Sequence, residues 1–585
     1  MISIQVQELL RKAVSLQRAG KPEQAAAWYA RACTQAPADP LCGMAYASLL
    51  SDLGRQGEAE ARLRPLAQRH PKHAELWDLW AVVLQRCGNM VESIAASRNA
   101  VAANPQMIGA WTNLALSYLN TGRAADSLAC QEKALALDPG NAAALHGRAM
   151  ALQHLHRIPE AVRGYSDAIA RNPGNLESRS YRLFALHYLS GISREALWEE
   201  HRAFGAGFAP VAGVSAPGYI AKGRLRVGFI SPDLREHSVS YFLEPILAHL
   251  DPEQFEVVLY HDHYRVDACS ERLKAHAILW RNFVGQSHAA VAAQIRADHL
   301  DILIDLAGHT GLNRLPVFAA RVAPVQMTYL GYPDTTGIRA MDYRLVDALT
   351  DPAGDADRFS SERLLRFSST LWSYRPPQDA PSVALARSGP PVFGSSNNLS
   401  KVSDETLRGW AGVLHSVPES RLRLKADGLQ HAAVAGQLLQ RAGAAGIDAA
   451  RIQLVPRAAT VAEHLAFYHE IDVALDTFPY HGTTTTCEAL WMGVPVVSLV
   501  GDRHCARVGA SLLSAIGRPE WAAADWNGYV QAAARCARER PNRSAVRAAL
   551  ASSALMDHAG QAARFGGALR QGWLERAESS AAVAA

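Results

Sequence analysis

The sequence predicts an α/α superhelix of repeated helix pairs, followed by an α/β unit built from two doubly wound parallel sheets. Three observations carry this reading. Prolines recur every 34 residues through the first third of the chain. From Leu225 helical periodicity gives way to short β-branched runs separated by helical stretches, and after a Pro/Ser/Gly-rich connection from Pro376 to Pro391 that alternation starts again. A length of 585 residues corresponds to roughly four domain-sized units. With 49% hydrophobic and 19% charged residues, the composition is that of a packed chain and not of a disordered one.

The repeat rests on Pro37, Pro71, Pro105, Pro139 and Pro173, each 34 residues from the next. Gly20, Gly54, Gly88 and Gly122 share the frame, with His156 breaking that column in the fifth unit. Small residues recur at Ala13, Ala47, Ala81, Ala115 and Ala149, and again at Ala25, Ala59, Ser93, Ser127 and Ala161. Each unit therefore reads as helix, Gly-containing turn, helix, Pro-marked turn, with small residues where two helices approach closely. The pattern resembles the tetratricopeptide repeat over residues 3 to 175, giving an array of about five repeats across residues 1–175. The resemblance implies a superhelix whose concave face binds extended peptide; a spacer or dimerisation arm is the alternative. Residues 176–222 keep helical patterning (RSYRLFALHYL, REALWEEHRAF) without the period and then become GFAPVAGVSAPGY, which reads as a capping helix pair and a linker.

The strand runs of the first α/β half, residues 223–385, are LRVGFIS, FEVVLYHD, DILIDLAG and VQMTYLG. Those of the second half, residues 386–585 with a final helix, are PPVFGSS, RLRLKAD, RIQLVP, IDVALDTF and VPVVSLV. Ligands of such sheets bind outside the carboxyl ends of the strands, and two sheets in series offer the cleft between them. Neither G-x-G-x-x-G after the first strand nor G-x-x-x-x-G-K-[ST] occurs, so dinucleotide oxidoreductases and P-loop NTPases lack their phosphate cradles.

Lys plus Arg (59) against Asp plus Glu (55) leaves a net charge of +4, too small for a general nucleic-acid footprint. The start, MISIQVQELL, has no basic stretch before an apolar core, and no run of 18 apolar residues occurs, so neither secretion nor a membrane partner is expected. The eight cysteines are scattered without a C-x-x-C pair, which argues against zinc and fits a reducing cytoplasm.

The strongest local feature is HGTTTTCEALWMGVP, His481 to Pro495, directly after the strand IDVALD. Gly followed by hydroxyl residues at a helix start exposes unpaired N–H groups and the positive helix end, which suits a diphosphate held at Thr483, Thr484 and Thr485. Glu488, one turn on, could accept from ribose hydroxyls; a Thr-capped helix is the alternative. Lys401 follows PPVFGSSNNLS at a strand exit, where a compact ammonium can neutralise charge growing on a departing diphosphate. His237 follows the first strand in ISPDLREHSVSYFL, placed to act as a general base or to hold a hydroxyl; a buried structural histidine is the alternative. The Gly-rich turns DLAGHTGLNR, with Gly308 and His309, and LGYPDTTG approach the same cleft. His464, near a predicted helix start, could stack on a base. His261 and His263 in HDHY have no third partner at metal-ligand spacing and read as structural.

A repeat array joined to a two-domain α/β unit carrying RVGFISPDLREHS, APVQMTYLGYPDTTG, NNLSK and HGTTTTCEALWMGVPVV resembles the O-GlcNAc transferase family in a bacterial form. The resemblance covers nearly the whole chain. It implies a GT-B fold of two Rossmann-like domains and a metal-independent, inverting transfer, without a cofactor, from a UDP-sugar donor to Ser or Thr of a protein acceptor presented by the repeats. It also implies that Lys401 binds the diphosphate, that His237 sits beside acceptor and donor sugar, that His464, Thr484 and Thr485 contact nucleotide and phosphates, and that Glu488 binds the ribose. Asn398, Thr483, Gly308 and His309 join these as candidate UDP-sugar contacts. Thr483 stands where animal members have His, Glu488 where they have Asp and Asn398 where they have Gln, and the long insertion between the halves is absent.

On this reading the hydroxyl attacks the anomeric carbon opposite a diphosphate held between Lys401 and Thr483 to Thr485. His237, an α-phosphate oxygen or a water chain takes the proton. The rivals within the same fold are an O-fucosyltransferase using GDP-fucose and an Asn-linked glucosyltransferase using UDP-glucose. A rival from another class is a catalytically silent scaffold with a nucleotide-binding domain.

Overall fold

The computed structural model describes residues 3–209 and 223–584, with side chains as far as residue 578. Residues 210–222, which include most of the expected linker, lie outside the described residues. The chain divides into two compact units, residues 1–178 with 283–287, and residues 179–282 with 288–585.

The first unit is a row of five helix pairs: Ile4–Arg18 with Pro22–Gln35, Pro40–Asp52 with Gln56–Arg69, Ala74–Arg86 with Met90–Ala103, Ile108–Asn120 with Ala124–Leu137, and Ala142–His154 with Ile158–Arg171. In every pair the periodic proline stands just past the residue that ends the second helix, where no further N–H is available to continue it. Gly20, Gly54, Gly88 and Gly122 close the first helices with φ of 70 to 78°, and a Cβ at Gly20, Gly54 or Gly122 would meet nothing, so conformation and not crowding selects glycine there. His156 takes the same left-handed turn at φ 60°, so the broken column keeps its geometry at some backbone cost. The alanines of the first small column are all 0% exposed. Ser93, in the second column, donates its hydroxyl to the carbonyl of Ala81 at 2.9 Å and so remains satisfied while buried. One core cluster runs continuously from Val6 to Ala110, as stacking repeats require.

The second unit holds two parallel sheets. The first contains β1 (Leu225–Ser231), β2 (Phe255–His261), β3 (Leu279–Asn282), β4 (Ile302–Asp305), β5 (Val325–Thr328), β6 (Tyr343–Asp347) and β7 (Arg363–Phe367), in the order β3-β2-β1-β4-β5-β6-β7. The second contains β8 (Val392–Ser395), β9 (Arg421–Ala426), β10 (Ile452–Pro456), β11 (Val473–Leu475), β12 (Val496–Leu499) and β13 (Ala522–Ala523), in the order β10-β9-β8-β11-β12-β13. All nine strand runs read from sequence are present. The four others escape because they lack a clean signal: β3 is a half-exposed edge, β13 has two residues, and β6 and β7 carry arginines within short apolar runs.

Helices Leu176–Leu186 and Arg194–Gly205 precede β1, joined by Arg182 and Glu200 at 2.6 Å. They are fastened to the turn after β5 by Tyr332, whose hydroxyl lies 2.9 Å from His187 Nε2 and 2.7 Å from His201 Nε2. Sequence order assigns the last helix, His558–Ala584, to the second half, but it packs on the first sheet. Phe565, Leu569 and Trp573, spaced i, i+4, i+8, form its buried stripe, and Phe565 stacks on Phe229 of β1 at 6.1 Å. Gln561 Nε2 donates to the carbonyls of Thr370 and Trp372 at 2.7 and 2.6 Å, tying the same helix to the segment after β7. No helix among the described residues is long and apolar enough to cross a membrane.

Candidate functional site

Each sheet reverses its winding once, between β1 and β4 in the first and between β8 and β11 in the second. Loops leaving adjacent strands in opposite directions open a crevice at those points. The segments after these four strands line one cleft of about 600 Å³. Asp233, Arg235 and His237 come from β1; Thr310 and Gly311 from β4; Asn397, Asn398 and Lys401 from β8; Tyr480 and Thr483 to Thr485 from β11.

The β11 loop is built around Asp476. Its Oδ1 accepts the N–H of Gly482 at 2.8 Å and of Thr477 at 2.9 Å, and its Oδ2 accepts the hydroxyl of Ser498 at 2.6 Å. His481 is 0% exposed, donating from Nε2 to the carbonyl of Leu499 at 2.8 Å and accepting the N–H of Gly509 at Nδ1. These bonds turn the His481 carbonyl toward Lys401, whose ammonium donates to it at 2.8 Å and lies 4.3 Å over the ring of Tyr480. Gly482 is required by close approach: a Cβ would fall 2.1 Å from Thr485 Oγ1 and 2.7 Å from Asn397 Oδ1. The helix Thr484–Trp491 then begins with no side-chain cap from Thr483, which leaves its first N–H groups facing the cleft residues. Burial lowers the Lys401 pKa to about 8, against the opposing pull of Asp476. An uncapped helix start beside a desolvated ammonium is a receptor for a diphosphate-like anion.

Asn398 lines the cleft and uses its Oδ1 to accept the N–H of Ser400, shaping the turn that carries Lys401. Beyond the Thr485 end, His464 Nε2 lies 3.0 Å from Glu488 Oε2, and the Tyr468 hydroxyl lies 3.3 Å from the same oxygen and 3.1 Å from the Thr485 carbonyl. His464 and Glu488 thus sit together, beside the lined cleft and not within it. Lys425, at the carboxyl end of β9, donates to the His464 carbonyl at 2.9 Å, and burial brings its pKa to about 8. Sequence reading passed over it, although a lysine ending an alternating strand run was a usable signal.

His237 caps the helix Ser238–His249. Its Nδ1 accepts the N–H of Val239 at 3.3 Å and lies 3.7 Å from Asp233 Oδ2. Burial lowers its pKa, with Asp233 opposing and Arg235 assisting. The neutral ring therefore carries its proton on Nε2 and presents a donor there. Gly308 and His309 do not line the cleft. Gly308 donates its N–H to Asp305 at 2.8 Å. His309 is 0% exposed, with Nδ1 3.0 Å from Ser180 Oγ and Nε2 donating to the Thr336 carbonyl at 2.9 Å. The turn meets the cleft through Thr310, Gly311 and Leu312 instead, because His309 is committed inward. His261 is buried, with Nε2 donating to the Arg265 carbonyl, whereas His263 reaches the cleft edge.

A third imidazole, besides those of His237 and His263, lines the cleft without having been picked out in sequence. His504, after β12, has its Nδ1 2.6 Å from Asp351 Oδ2, after β6, and Arg344 approaches the other carboxylate oxygen at 3.2 Å. Nothing local marks the pair, since 153 residues separate its members. Among the described residues one group, His187, His201 and Asp334, brings three potential metal-ligating atoms within 4.8 Å. Both histidine Nε2 atoms there are taken up by Tyr332, and His201 Nδ1 donates to the Leu197 carbonyl at 2.7 Å, so the group serves to fasten the helices.

Residues 215–373 and 387–559 match the family model described as glycosyl transferase family 41, and residues 108–141 match a tetratricopeptide repeat model. A tomato (Solanum lycopersicum) protein named probable UDP-N-acetylglucosamine-peptide N-acetylglucosaminyltransferase SPINDLY is 37% identical over 371 residues, 61% of this chain and 39% of that protein. An Arabidopsis thaliana protein of the same enzyme name, designated SEC, is 30% identical over 313 residues, 50% of this chain and 31% of that one. The chain therefore spans about two-fifths or less of the length of these curated relatives. A solved mutant O-GlcNAc transferase from Thermobaculum terrenum superimposes with a TM-score of 0.82 at 33% identity, covering 87% of this chain and 98% of that one. The matched segments, more than half of the chain, include both winding reversals and the strand-following loops that line the cleft, and on that basis the chain belongs to glycosyl transferase family 41.

Proposed function

We propose that the chain transfers N-acetylglucosamine from UDP-N-acetylglucosamine to serine or threonine hydroxyls of proteins, with inversion at the anomeric carbon. The observation that carries this is the pairing of Lys401 with the uncapped helix start at Thr483 to Thr485. As the bond to the anomeric carbon breaks, negative charge grows on the departing diphosphate, and groups already aimed at that charge stabilise the transition state more than the ground state. Thr483, Thr484, Thr485 and Lys401 hold the diphosphate. Asn398 fixes the Lys401 turn, and His237 donates from Nε2 toward the sugar or a phosphate oxygen. His464 and Glu488, already paired, receive the nucleoside, Glu488 taking ribose hydroxyls. The helix-pair array of residues 1–175 presents the acceptor, residues 176–222 connect it, and residues 223–385 and 386–585 form the two catalytic halves, the final helix of the second covering the sheet of the first. The short connection from Pro376 to Pro391 supports a bacterial form of the family, and the scattered cysteines support a reducing, cytoplasmic setting.

The test is a donor screen. Saturating UDP should raise Tm by several degrees where GDP does not, and UDP-N-acetylglucosamine should add a mass of one N-acetylhexosamine to a Ser/Thr acceptor peptide. A response to GDP alone, or transfer from GDP-fucose or UDP-glucose only, overturns the donor assignment.

A further inference from the structure

An attacking hydroxyl must give up its proton, and three imidazoles line the cleft. His263, at its edge, accepts the Arg265 N–H at Nδ1 (3.0 Å), so its neutral ring offers a donor and no lone pair at Nε2. His237 uses Nδ1 to accept the Val239 N–H, so its neutral ring has no lone pair at Nε2. His504 is the reverse. The Asp351 carboxylate accepts from its Nδ1–H at 2.6 Å, which places the lone pair on Nε2, and Nε2 makes no hydrogen bond among the described residues. His504 is 9% exposed and Asp351 3% exposed, yet His504 still lines the cleft that contains Lys401 and Thr483 to Thr485.

We propose that His504, oriented by Asp351, is the general base of the transfer reaction. The assignment rests on the glycosyl-transfer reading above and adds the residue that the reading leaves unnamed. The acceptor oxygen bonds to the anomeric carbon, the bond from that carbon to the diphosphate oxygen breaks, and its electron pair leaves with UDP. The hydroxyl proton passes to His504 Nε2. The resulting imidazolium keeps its Nδ1–H on Asp351, so the charge formed in the step meets a carboxylate already in place.

The charged surroundings suit that role. Burial works against ionisation of Asp351, but Arg344 and His504 outweigh it and hold the carboxyl well below its usual range, so it stays an acceptor. Arg507, one turn beyond His504, spends its guanidinium on the carbonyls of Leu349 and Gly501 at 2.7 and 3.0 Å. Arg503 turns away to the carbonyls of Ile192 and Leu189. Trp372 packs edge to face against the His504 ring at 6.2 Å. Asp351 and His504 come from loops of different sheets, so the base is complete only when both halves are assembled.

The experiment is peptide transfer by the full chain carrying His504→Asn, whose amide N–H can still reach Asp351 but which has no basic nitrogen. Turnover should fall by about 100-fold or more, within the range general-base catalysis supplies. The UDP Kd should stay within about threefold of wild type, and the fall in wild-type rate toward acid pH should be absent from the variant. Turnover within about threefold of wild type, or loss of rate and UDP binding together, overturns the assignment. If His504→Asn lowers Tm by more than about 5 °C, Asp351→Asn decides. An acid limb displaced to lower pH supports the base, because the stabilising carboxylate is gone, and an unmoved limb overturns it. A wild-type chain that transfers sugar from no UDP donor overturns the reaction itself, a result distinct from an active wild type with an active His504→Asn.

Discussion

On the proposed function, the Lys401 ammonium sets a sharp condition on nucleotide binding. With its pKa brought to about 8 by burial, the charged form dominates at neutral pH and the neutral form dominates one unit above that value. The group is depressed, so the charge that attracts a diphosphate is fully present below pH 8 and is lost as pH rises through it. The protonated fraction falls from about 0.9 at pH 7 to about 0.1 at pH 9, so the apparent Kd for UDP should rise about tenfold, equivalent to ~1.4 kcal/mol. Isothermal titration calorimetry at constant ionic strength, at pH 7, 8 and 9, measures this. Uracil itself begins to lose a proton at the top of that range, so the quantity read is the difference between wild type and Lys401→Met, in which the slope should disappear. Lys425→Met should keep it, because that lysine's ammonium faces the His464 carbonyl and not the helix start. A wild-type Kd constant within about twofold from pH 7 to 9, or an equal slope in Lys401→Met, refutes the reasoning.

Gly482→Ala should weaken UDP binding at least about tenfold and cost ~1–3 kcal/mol of stability, since the added methyl collides with Thr485 Oγ1 and Asn397 Oδ1; calorimetry and thermal melts report both. Asp476→Asn places an NH2 group among N–H and O–H donors from Gly482, Thr477 and Ser498 and should lower stability by ~2–3 kcal/mol, read from urea denaturation midpoints. Glu488→Ala should lower affinity for UDP about tenfold yet leave inhibition by inorganic diphosphate unchanged, because the carboxylate lies at the His464 end and away from Lys401. Equal loss for both ligands would place Glu488 at the phosphates instead.

Much of the architecture was legible because it is written in local rules. The 34-residue proline column marks helix ends, and the glycine column marks left-handed turns that a Cβ would strain though not crowd. The nine strand runs are apolar enough to announce themselves, and β11 followed by Gly482 and four threonines marks a helix start at the cleft without any knowledge of the partner sheet. What sequence could not show is whatever depends on distant meetings. His309 looked like a cleft residue because its turn is one, and only the positions of Ser180 and Thr336 reveal that it points inward. His504 gains its character from Asp351, which follows β6, a strand itself hidden by Arg344 within a buried run. Asp476 reads as the polar end of a strand until its four partners are seen.

The return of the final helix to the first sheet bears on how the chain comes into being. A ribosome completes β7 at Phe367 and must add about 190 further residues before His558 appears, an interval of about 10–40 s at ordinary elongation rates. Throughout that time Phe229 of β1 lacks the aromatic ring that covers it in the finished molecule. The first α/β half is thus a nascent body with an uncovered apolar face, obliged to wait for a segment made after the whole second sheet. Cutting the chain after the second sheet would leave that face uncovered, so the first half reaches its finished packing only with the helix from His558 attached.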